Sequence, residues 1–87
     1  MGNVLTIYRI LPEGTEVDTK KLKAEVEAVG KVAKRVEVQE EPFAFGLKAL
    51  MAKFIVEDGS GLTDVIEERL QKLPGVSSVE CLEVGLI

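Results

Sequence analysis

The chain has 87 residues, a formal net charge of −4, 46% apolar side chains, one cysteine and no histidine. It is long enough for a single domain, residues 1–87, of the size that buries about 60 to 65% of its unfolded surface. One thiol excludes an internal disulfide, and without histidine the usual ligands of a transition-metal site are missing. No window approaches the roughly 18 apolar residues of a bilayer span, so a cytoplasmic protein is expected. The negative field disfavours direct nucleic-acid binding and favours a basic partner surface.

Val4 to Leu11 is dense in β-branched and aromatic residues and stops at Pro12-Glu13-Gly14, which predicts a first strand and a turn. Asp18 or Thr19 can then cap a helix whose apolar positions Leu22, Val26 and Val29 share one face, with Gly30 ending it. Lys31 to Gln39 alternates with one lapse at Lys34 and reads as a half-exposed second strand. Glu40 to Gly46 reads as a loop, because Pro42 lacks a ladder donor and biases Glu41 to extended backbone.

A third strand runs from Leu47 to Val56 or Glu57, and Asp58-Gly59-Ser60-Gly61 is a turn. Ser60 or Thr63 can cap a second helix with the stripe Leu62, Val65, Ile66, Leu70 and Leu73, which Pro74-Gly75 ends. Val76 to Val84 reads as a fourth strand, with Val79 and Leu82 the surest buried positions, followed by a short apolar tail, Gly85-Leu86-Ile87. The order β-α-β-β-α-β predicts an α+β, ferredoxin-like split β-α-β sandwich. Its four-stranded antiparallel sheet has strand order 4-1-3-2, with two helices on one face.

Because this topology hosts many activities, function must be argued from a site. With no histidine, only carboxylates, lysines and Cys81 remain for catalysis, and they form no recognisable constellation. Cys81 has no basic neighbour in sequence to activate it and reads as a small buried apolar residue. No covalent chemistry, cofactor or bound metal is therefore expected. An RNA-recognition module would stack bases on strand aromatics, and only Tyr8 and Phe54 could serve. Gly59-Ser60-Gly61 lacks the lysine of a phosphate-binding loop.

What remains is the loop Pro42-Phe43-Ala44-Phe45-Gly46, with two large aromatics in a turn. Either both close the bottom of the core, or one tucks under the sheet while the other projects as an interface anchor.

The stretch Glu41-Pro42-Phe43-Ala44-Phe45-Gly46-Leu47-Lys48-Ala49-Leu50 resembles the Pro-x-x-Phe-Gly-x-Lys-x-Leu signature of the guanine-exchange domain of elongation factor 1-beta. Val56-Glu57-Asp58 before the second helix is similar to that family, and Met1 to Val4, Leu11-Pro12-Glu13 and Val17-Asp18 look like its archaeal members, which consist of this domain alone. The resemblance implies a translation factor that docks on the GTPase elongation factor 1-alpha and promotes exchange of GDP for GTP; the chain itself is expected to be a monomer. Phe45 would pack into the nucleotide-binding domain, with Phe43, Gly46 and Lys48 beside it.

In that family a lysine near the C-terminus also reaches toward the GTPase's Mg²⁺. Here the last basic residue is Lys72, so the lysine's role does not carry over. Lys48 is the best remaining cation near Phe45, and Leu86 and Ile87 either act as an apolar wedge or simply finish strand four. The alternative on the residues alone is a small regulatory or ligand-binding domain of the same topology. Such a domain could form oligomers through a strand-two edge that carries Lys31, Lys34 and Arg35.

Overall fold

The apolar run near the start of the chain needs backbone partners, and in the computed structural model, which describes residues 2–87, it has one on each side. β1 (Asn3–Pro12) lies between β3 (Lys48–Glu57) and β4 (Val76–Leu86), and β2 (Arg35–Pro42) pairs outside β3. The order β2-β3-β1-β4 is the predicted 4-1-3-2 read from the other edge, and every pairing is antiparallel. α1 (Thr19–Val29) and α2 (Leu62–Gln71) follow β1 and β3, completing the ferredoxin-like arrangement.

Period-two alternation divides the sheet into two faces. Tyr8 and Ile10 of β1, Leu50, Ala52, Phe54 and Val56 of β3, and Val38 of β2 meet Leu22 and Val26 of α1 and Ile66 and Leu70 of α2 in one core. Each large side chain fully buried this way contributes about 1.5 to 3 kcal/mol. Leu5, Ile7, Arg9, Met51 and Ile55 fall on the opposite face and remain half-exposed.

Local chemistry sets the boundaries. Asp18 caps α1, its carboxylate accepting the N–H groups of Lys20 and Lys21 at 3.0 and 3.3 Å. Gly30 does not end the helix by a left-handed turn, since its φ is −75°. The chain tightens there into a 3-10 turn, Gly30–Val32, so β2 starts at Arg35 rather than Lys31. Close packing is what requires this glycine: a Cβ would sit 2.7 Å from both Phe54 and Val36. At α2 the Ser60 hydroxyl accepts the Leu62 N–H at 3.3 Å, while Thr63 lies inside the helix. Gly75 turns the chain at φ 83° and accepts the Glu13 N–H at 2.8 Å.

β4 departs from expectation. Cys81 pairs with Tyr8 and Glu83 with Ile7, which leaves Leu82 as the extra residue of a bulge. On this edge strand Cys81 and Leu82 are exposed rather than buried, because no further strand shelters them. Val79, as expected, packs on the core. Gly85-Leu86-Ile87 is no separate tail: Gly85 and Leu86 pair with Leu5 and Val4, and the Ile87 N–H donates to the Asn3 carbonyl at 2.9 Å. Among the described residues no helix is long and apolar enough to cross a membrane.

Candidate exchange loop at one end of the sheet

β2 and β3 separate after Pro42, which faces Lys48 across the ladder. The intervening loop is tied by two backbone bonds, Phe43 N–H to the Leu47 carbonyl at 2.8 Å and Leu47 N–H to the Ala44 carbonyl at 3.2 Å. Between these ties Phe45 sits at φ 62°, ψ 29°, and Gly46 at φ 75°. Glycine accepts a left-handed backbone freely, whereas for a residue with a Cβ it costs about 1 to 2 kcal/mol. Two successive left-handed residues reverse the chain sharply, and the ring of Phe45 is left 94% exposed. It closes no part of the core.

Phe43 behaves differently. Its ring is 37% exposed and lies beneath the guanidinium of Arg9, whose Cζ is 5.3 Å from the ring centroid. Arg9 in turn pairs with the carboxylate of Glu80, its register partner on β4. Glu40 to Phe43 and Gly46 to Lys48 line a shallow groove of about 280 Å³ beside the tip, with Lys48 exposed at its rim. Arg9 and Glu80 were not foreseen as part of this site. The available signal was an arginine interrupting an apolar strand, but its partners become visible only once the register is known.

The fold therefore gathers Phe43, Phe45, Gly46 and Lys48 at one end. Leu86 and Ile87, 70% and 63% exposed, are not part of that cluster. Leu86 pairs with Val4, while Ile10 pairs with Leu50 near the loop. Six residues of β1 at about 3.3 Å each put the two ends about 20 Å apart. Leu82 and Val84 are also exposed on this edge strand.

Tyr8 and Phe54, the only aromatics available for base stacking, are buried against each other on the helix side, with ring centroids 6.0 Å apart. Burial pushes the Tyr8 hydroxyl up to about 12, with the charge of Cys81 adding to the effect. The hydroxyl donates to the Thr63 carbonyl at 3.4 Å, so it serves the core.

The chain is thus a split β-α-β domain with the loop Phe43-Ala44-Phe45-Gly46 between its second and third strands. Residues 5–87 match the EF-1 guanine nucleotide exchange domain, and the chain belongs to that family. At the level of whole proteins it is similar to elongation factor 1-beta of Methanoculleus marisnigri, with 47% identity over the full length of both chains. It is also similar to the proteins of that name from Methanoregula boonei, 43% identical over 99% of each chain, and Methanobrevibacter smithii, 46% identical over 92% of this chain and 91% of the other. These relationships place it among the archaeal nucleotide-exchange factors of translation elongation.

Proposed function

We propose that this domain, acting as a monomer, docks the Phe45 tip on elongation factor 1-alpha and thereby accelerates release of GDP. The observation that carries this reading is a phenylalanine held almost fully in solvent on a left-handed backbone, in a loop closed by two backbone hydrogen bonds. Burying such a ring removes about 150 to 250 Å² from water, an upper limit of about 4 to 6 kcal/mol and ample for an interface hot spot. Lys48 beside the groove supplies a cation, and Glu40 and Glu41 supply charges complementary to a basic patch. The exposed Leu86 and Ile87 form a second contact at the far end of a domain 42 Å long.

The domain itself performs no covalent chemistry in this scheme. Docking favours the nucleotide-free or distorted GTPase over the GDP-bound one, so factor and nucleotide weaken each other reciprocally. With no lysine after Lys72, displacement of the GTPase's Mg²⁺ by a cation at this end forms no part of the proposal. The test is release of a fluorescent GDP analogue. Substoichiometric amounts of the chain should accelerate dissociation from elongation factor 1-alpha and leave an unrelated GTPase unaffected. No acceleration at any Mg²⁺ concentration would overturn the reading.

A further inference from the structure

We propose that Arg9 is a positioning residue for the exchange loop: its guanidinium, fixed to β4 by Glu80, clamps the ring of Phe43 and so holds the Phe45 tip in its docking conformation. The proposal rests on the docking reading above. Three elements distant in sequence meet at this one side chain: β1 carries Arg9, β4 carries Glu80, and the loop carries Phe43. β1 is paired on both sides and gives a rigid base, whereas the loop's own two backbone bonds lie within the turn itself.

Arginine suits the task because a planar guanidinium can lie over an aromatic face while its N–H groups hold a carboxylate. The Nε of Arg9 is buried with no partner among the described residues, so Glu80 and the Phe43 ring define the orientation of the group. The ion pair is partly exposed, with side chains 32% and 56% accessible, and such pairs stabilise folds little. Its consequence lies instead in the loop. Phe43 precedes Phe45 by two residues, and releasing its ring lets the tip sample other conformers. Apparent affinity falls in proportion to the competent fraction, and a cation–π contact of this exposure corresponds to about a two- to fivefold change.

GDP release should be titrated with the full chain and with Phe45→Ala, Arg9→Ala, Arg9→Lys and Glu80→Gln variants. Arg9→Ala should raise the half-saturating concentration about two- to fivefold with an unchanged maximal rate. Arg9→Lys, which keeps the cation, should restore part of the loss, and Glu80→Gln should fall between. The chain has three phenylalanines, so 4-fluorophenylalanine labelling gives three ¹⁹F resonances. Arg9→Ala should shift that of Phe43 and broaden that of Phe45, leaving that of buried Phe54 unchanged.

An unaltered half-saturating concentration in Arg9→Ala, when Phe45→Ala is impaired, overturns the proposal. So does a reduced maximal rate at unaltered half-saturation, which would make Arg9 a direct contact. If Phe45→Ala exchanges normally, the docking reading fails, and the ¹⁹F spectrum alone decides whether Arg9 orders the loop. Should Arg9→Ala fold poorly, Arg9→Met and Glu80→Gln provide the same spectral comparison.

Discussion

Replacing Phe45 by glycine should move stability and activity in opposite directions. A left-handed residue with a Cβ carries about 1 to 2 kcal/mol of strain that glycine relieves, offset by the roughly 0.5 to 1 kcal/mol of extra chain entropy that glycine loses on folding. Because the ring is 94% exposed, its removal leaves no cavity. The net is a stabilisation of about 0 to 1.5 kcal/mol, or a melting midpoint raised by no more than about 12 °C in a domain of this size. Exchange should weaken at least tenfold, about 1.4 kcal/mol of lost interface energy. Phe45→Ala separates the two effects, since it loses the ring but keeps the strained Cβ, and should impair exchange without the gain in stability. Thermal unfolding followed by circular dichroism and release of fluorescent GDP are the two assays. A midpoint lowered by 10 °C or more would show that the ring supports the fold, and undiminished exchange would show that it is not the anchor.

Two further expectations follow from the rest of the molecule. Leu86→Ala combined with Ile87→Ala should lower stability by less than about 1 kcal/mol, because both side chains are exposed. The pair should slow exchange at fixed Mg²⁺, and unchanged exchange would leave the loop acting alone. Stability should also fall between about pH 10 and 12: unfolded tyrosine ionises from about 10, whereas buried Tyr8 holds its proton up to about 12. A folded-state value raised above the unfolded one favours the native state below pH 10 and loses that contribution as pH rises through 12. Tyr8→Phe should flatten the decline in midpoint relative to wild type over that interval, and an identical slope in both would refute the assignment.

Most of the fold was legible because strands and helices declare themselves by period, and here the periods are clean in β1, β3 and both helices. The misjudged positions share a cause, which is that exposure on an edge is a property of the assembled sheet. Cys81 and Leu82 look like core from composition, but β4 has no outer neighbour and a bulge at Leu82 shifts its register. Gly30 does end α1, as its position suggests, but what requires a glycine there is Phe54 and Val36, which are remote in sequence and pack against it. At the site, Phe-Gly marked the tip, but only backbone geometry distinguishes a projecting Phe45 from a core plug. Arg9 and Glu80 are 71 residues apart, and only the antiparallel register of β1 with β4 places them side by side.

The position that resists a folding explanation is also the one that supports the functional reading. Four glycines, at 46, 59, 61 and 75, take positive φ at no steric cost, and among the described residues Phe45 is the only non-glycine to do so. Burial cannot account for the choice, since the ring touches solvent almost everywhere. Backbone preference cannot either, because glycine would be less strained there. At this residue the sequence departs from the glycine it places at its other left-handed positions, and such local conflict is expected where function is the competing demand. Both the strain and the exposed apolar surface would be offset by a partner that buries the ring. On the proposed reading the tip is half of an interface, held open by its own turn and by the neighbouring Phe43.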